Sequence, residues 1–96
     1  MTTSTLNAPV SKHEKIIRDW FDARFKLKMR LRCGEVCGAM GNFGLSDRRD
    51  DLRKLVENER LTPLPKVNGE VKAHYHREDI IVFLVENCQP TKNSHD

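Results

Sequence analysis

The sequence predicts an α+β fold, mainly helical, with one two- or three-stranded β-hairpin, folded as a single domain. Three observations carry this reading. Apolar residues recur at helical spacing in four separate segments, around residues 12–28, 34–40, 46–58 and 77–87. Asn68-Gly69 stands between two extended stretches and is the strongest short hairpin signal a sequence offers. Gly41, Asn42 and Gly44 fall between the second and third helical segments, where a tight inter-helix turn needs residues that tolerate left-handed backbone angles.

The elements follow in order. Ser11 is a helix N-cap, and Glu14, three residues on, completes a capping box. Ile16, Trp20, Ala23 and Leu27 form one apolar stripe, with Ile17, Phe21 and Phe25 beside it, and both are read as core packing. From Arg24 to Arg32 basic and apolar residues alternate strictly, which is the period of a strand, yet Leu27 and Leu31 also continue the helical stripe. The reading adopted is a helix to about Lys28 followed by a short extended piece. Val36, Cys37 and Met40 mark the second helix.

Ser46 is the expected N-cap of the third helix, with Asp47 in its first turn and Leu52, Leu55 and Val56 facing inward. Pro63 and Pro65 confine 61–67 to an edge strand or an extended arm. Asn68-Gly69 then closes a turn in which both residues are expected at positive φ, and 71–76 returns as the second strand. Ile80, Ile81, Phe83 and Leu84 mark a closing helix opened by Glu78 and Asp79. Residues 1–11 and 89–96 lack periodicity and are expected to be flexible tails on a domain spanning 12–88.

Composition bounds the rest. Ninety-six residues, 38% of them hydrophobic and 32% charged, support one modest core. No apolar run approaches the ~20 residues of a membrane span. Residues 1–10 lack the charged start and apolar stretch of a secretory signal. Three cysteines cannot complete a disulfide framework, so the cytoplasm is the expected compartment. The net charge is +3, but its distribution says more: residues 1–42 hold eight Lys/Arg against four Asp/Glu, and 43–96 hold nine against ten. The excess lies in Arg24, Lys26, Lys28, Arg30 and Arg32, a patch able to attract phosphates, to face solvent or to dock an acidic protein.

Two short helices around a tight turn, followed by a hairpin, is the plan of a winged helix-turn-helix. At Gly34-Glu35-Val36, at 46–58, at Leu64-Pro65 entering the wing, at Asn68-Gly69 and at His74-Tyr75-His76-Arg77-Glu78-Asp79-Ile80-Ile81, the chain resembles the MerR-like winged helices of phage excisionases and small terminase subunits. The resemblance covers about sixty residues and rests on order and spacing. It implies binding to double-stranded DNA as a transcriptional regulator or as an excisionase-like architectural factor of a phage or mobile element. It also implies a homodimer or cooperative oligomer on DNA. The helix at 12–28 departs from minimal excisionases and offers a dimerisation or partner surface.

In that family the start of the second helix of the motif reaches base edges, which here means Ser46, Arg48 and Arg49. Arginine forms two parallel hydrogen bonds to guanine in the major groove. Arg53 and Lys54 continue the same helix, but Asp50 and Glu57 share its outward face and repel phosphate. Lys66, Asn68, Lys72 and His74 furnish the wing, and Lys26, Lys28 and Arg30 the basic stretch. The competing reading is a protein-interaction module on the same scaffold.

Cys33, Cys37, His74 and His76 offer a further four-ligand zinc arrangement, but the Cys-x3-Cys spacing departs from the common form. The cysteines are read instead as small apolar fillers. No phosphate loop, nucleophile elbow or cofactor motif occurs, and the expectation is a protein that is not an enzyme and takes no metal or cofactor.

Overall fold

Ser11 starts the first helix as expected: its Oγ accepts from the Glu14 N–H at 3.0 Å, and Lys12–Phe25 (α1) follows. The computed structural model describes residues 11–88, so the expectation of flexible tails lies outside the described residues for 1–10 and 89–96. Two i,i+4 ion pairs run along α1, Lys15–Asp19 at 3.0 Å on the exposed side and Glu14–Arg18 at 2.7 Å, where Arg18 also reaches Glu78 at 2.7 Å. The inward stripe is Ile17, Phe21 and Phe25. Ile16 (54% exposed) and Leu27 (89% exposed) face outward, so of the two stripes expected in the core only that of Ile17, Phe21 and Phe25 forms the buried face. Trp20 is half-buried and meets Phe21, Phe25 and Phe43 edge-on, with centroids 5.2, 5.8 and 5.4 Å away.

The helix ends at Phe25 and does not reach Lys28, because Lys26 adopts φ 51°, a conformation that breaks the helical ladder. The turn that follows is held by Arg77. That side chain is 5% exposed, and its Nη1 donates to the carbonyls of Lys26 and Lys28, the latter at 3.1 Å. Its Nη2 donates to Asp22, and its backbone N–H donates to the Met29 carbonyl at 2.8 Å.

Arg30–Arg32 (β1) pairs antiparallel with His74–His76 (β2), placing Arg30 opposite His76, Leu31 opposite Tyr75 and Arg32 opposite His74. Leu31 and Tyr75 are buried, so Arg30, Arg32, His74 and His76 share the other face. This two-stranded sheet replaces the hairpin expected between 61–67 and 71–76. Pro63 and Pro65 have no N–H to donate, so the arm makes a single ladder-like bond, Leu64 N–H to the His74 carbonyl at 2.8 Å. The extended arm, one of the two forms expected for 61–67, is the one found.

The wing turn is closed by Glu70 N–H to the Val67 carbonyl at 2.9 Å. Gly69 has φ 87° but Asn68 does not have positive φ, so the turn is of type II geometry, not the hairpin type with both residues inverted.

Cys33–Asn42 (α2) opens with the Arg32 N–H donating to Glu35 Oε1 at 2.8 Å, and buries Val36, Cys37, Ala39 and Met40. It ends in a Schellman motif at Gly44, φ 90°, with Leu45 N–H to the Met40 carbonyl at 2.8 Å. The next helix, Arg49–Glu57 (α3), starts three residues later than 46. Ser46 does not cap it; its Oγ accepts from Arg48 N–H at 3.2 Å and donates to Asp51. Leu52 is buried and Leu55 and Val56 are half-buried, the inward face expected.

Arg77–Asn87 (α4) closes the chain and packs along α1, burying Ile80, Ile81, Phe83 and Leu84 as expected. His76 Nδ1 caps it by accepting from Glu78 N–H at 3.0 Å. The described residues thus form four helices and a two-stranded antiparallel sheet, an α+β arrangement compatible with a winged helix. No helix among them is long and apolar enough to cross a membrane.

Candidate nucleic-acid interface

Around the wing, β1 and α3 the described cations divide into those that pair with a carboxylate and those that do not. Because Leu31 points into the core, Arg30 and Arg32 project from the opposite face of β1. Arg30 turns to the wing, where its Nη2 donates to Glu70 Oε1 at 2.8 Å and Oε2 at 3.1 Å. Lys28 is held by Glu35 at 2.7 Å. On α3, Arg53 pairs with Asp50, and Lys54 stands 4.0 Å from Asp51. Four of the cations expected to contact DNA are therefore partnered within the protein.

The second group has no carboxylate partner among the described residues. Lys72 leads into β2, whose His74 lies opposite Arg32. Arg32 is exposed and stands immediately before α2. Across the first turn of α2, the Arg49 Nη2 lies 3.3 Å from where a Cβ on Gly34 would sit, so a side chain at 34 would make this guanidinium give by a few tenths of an ångström. Arg48 precedes Arg49 as the cap residue of α3. Lys72, Arg32, Arg49 and Arg48 thus trace a path from the base of the wing, across the end of β1 and the start of α2, to the start of α3. Close charges of one sign concentrate counter-ions. Among the described residues none of the four has a carboxylate at ion-pair distance, although the Glu35 carboxylate, bound to the Arg32 N–H, lies near enough to feel the Arg32 charge.

The remaining expected residues serve local structure. Lys66 Nζ donates to the Val71 carbonyl at 2.8 Å and braces the wing turn. Asn68 is exposed at that turn. His74 is half-buried, its Nδ1 3.3 Å from Glu70 Oε2. Lys26 stands in the turn after α1, joined through its carbonyl to Arg77.

One residue of the site, Glu70, went unread in the sequence, and Arg32 was read only as part of the basic stretch. Glu70 gathers Arg30, His74 and the Val67 N–H, the last at 2.8 Å. The Val67 N–H first, and then Arg30, hold its carboxyl below the usual range. An acid directly after an Asn-Gly turn was the available signal, since its carboxylate can take the turn's free N–H. Arg32 belonged to the basic stretch, but only its strand register puts it beside the wing. At Glu35 burial acts upward, yet the Arg32 N–H and Lys28 outweigh it and keep the carboxyl below its ordinary value.

The four zinc-type side chains are not brought together. His76 Nδ1 is taken by the helix cap, His74 faces Glu70, and no group of three or more potential ligands forms among the described residues. Cys37 and Cys88 are buried and Cys33 is half-buried. Burial first, and then the neighbouring Cys33, push the Cys37 thiol up.

No protein-family model matches the chain, and neither a curated protein nor a solved structure matches it at a significant level.

Proposed function

We propose that this protein binds double-stranded DNA through the path of unpartnered cations from Lys72 to Arg48. The start of α3 enters the major groove with Arg48 and Arg49, while Arg32 and Lys72 hold neighbouring phosphates. The single observation behind this reading is the sorting of charge. Among the described residues the four arginine and lysine side chains along one path have no carboxylate at ion-pair distance, whereas Lys28, Arg30, Arg53 and Lys54 each have one. A cation already paired has less to gain from a phosphate, because a contact must first break the pair. The role that suits such a small reader is transcriptional regulation, or DNA bending by adjacent protomers as the excisionase resemblance implies.

One observation favours a second reading, a protein-interaction module: the outward face of α3 is balanced by its own acids, Asp50 and Asp51. A test separates the two. Sites are selected from random duplexes, and discrimination between selected and random DNA is measured for wild type and for Arg48→Ala with Arg49→Ala. The DNA reading predicts that the double variant loses discrimination worth ~1–3 kcal/mol per bidentate pairing. Failure of the wild type to select any site would favour the protein partner.

A further inference from the structure

We propose that the cavity between α3 and α4 binds an amphipathic carboxylate, a compact aryl or alkyl body bearing one acid group. The cavity has a volume of about 380 Å3 and an apolar floor of Met40, Leu45, Leu52, Leu55 and Phe83. This is the size and lining of a small-molecule site, where apolar walls supply area and a few polar groups fix orientation.

Arg60 supplies the polar group, and the fold puts it there. The α3 helix ends in a Schellman motif, with Arg60 N–H to the Leu55 carbonyl at 2.8 Å and Glu59 N–H to the Val56 carbonyl at 3.0 Å. The turn delivers Arg60 to the rim, where its guanidinium lies 5.5 Å from the centre of the Phe83 ring. Its Nη2 donates to Asn87 Oδ1 at 2.8 Å, and Asn87 Nδ2 donates in turn to the Phe83 carbonyl at 2.8 Å. The amide is therefore oriented, and it holds Arg60 in place without neutralising it.

No carboxylate pairs with Arg60 among the described residues. Asp51, on the same rim, is occupied by Ser46 and lies 4.0 Å from Lys54. Asp79 and Glu86 line the adjoining cavity and do not reach ion-pair distance. A fixed guanidinium with free donors, standing at the mouth of an apolar cavity, is complementary to a carboxylate whose body fills that cavity. The occupant would touch Leu52 and Leu55, so its binding is linked to the placement of α3. This geometry is independent of the DNA-binding reading.

The test is an NMR titration of the full chain with 4-phenylbutyrate and, separately, with the neutral 4-phenylbutanol. The expected result is saturable shifts centred on Leu52, Leu55 and Phe83, with the acid bound about tenfold more tightly than the alcohol, the effect of one charge-assisted hydrogen bond. In Arg60→Met, which keeps an aliphatic stem over Phe83, the preference for the acid should vanish. Equal affinity of acid and alcohol for the wild type would overturn the proposal, as would shifts centred elsewhere or no saturable binding of either. The wild-type comparison decides the matter even if the variant fails to fold.

Discussion

Arg30 and Glu70, forty positions apart in the chain, are joined by hydrogen bonds of 2.8 and 3.1 Å between one guanidinium nitrogen and both carboxylate oxygens. The pair fastens the wing to β1 and offsets the charge that Arg30 can offer an outside anion. Glu70→Gln should release it. The log-affinity versus log-salt slope for random duplex DNA should then steepen by up to about 0.9, the effect of one more neutralised phosphate. An unchanged slope would place Arg30 outside the interface altogether. The sign with pH is fixed by the lowered pKa of Glu70: its pairing is complete above the ordinary carboxyl value of 4.5 and is lost as pH falls through the lower folded value. An NMR titration of the Glu70 carboxyl should therefore show a midpoint below 4.5.

Arg77 is the stability counterpart. Its guanidinium is buried and serves two carbonyls as well as Asp22, whose side chain is 72% exposed. Arg77→Met should cost at least about 2 kcal/mol in urea unfolding, because the carbonyls of Lys26 and Lys28 lose a charged donor. Asp22→Asn should cost less than about 1 kcal/mol, since water screens an exposed partner. Comparable losses in the two variants would contradict this division of roles.

Glu59 occupies the left-handed position of its Schellman motif at φ 61°, where glycine is the usual residue. Glu59→Gly should raise stability by up to about 1 kcal/mol, the relief of left-handed strain exceeding the extra entropy of an unfolded glycine. A loss of stability on thermal unfolding would show that the Glu59 side chain contributes more than its backbone costs.

These two helix ends differ in what the sequence could convey. Gly44 announces the end of α2 because glycine at that offset has one dominant use. Glu59 performs the same task at the end of α3 and carries no such mark. The inward residues of α3 and α4 were legible, because Leu52 and the run from Ile80 to Leu84 leave little choice of face. The face of α1 was not, since two apolar stripes lie side by side and only packing against α4 selects Ile17, Phe21 and Phe25. The pairing of β1 with β2 and the Arg30–Glu70 bridge depend on chain reversal over some forty residues, which no local pattern encodes. Among the paired cations only Arg30 owes its partner to that long-range pairing; Arg53 and Lys54 pair within α3, where the acids of the same helix were legible.

If the unpartnered cations on the path from Lys72 to Arg48, not total basic charge, make the interface, two variants that each lack four charges should behave differently. The deciding quantity is the salt dependence of their binding to one random duplex. Replacing Arg32, Arg48, Arg49 and Lys72 with Gln should remove most of the wild-type slope, about 0.9 for each phosphate no longer neutralised. Replacing Lys28, Arg30, Arg53 and Lys54 with Gln should leave the greater part of the slope in place. Equal slopes for the two variants would contradict this assignment of the interface.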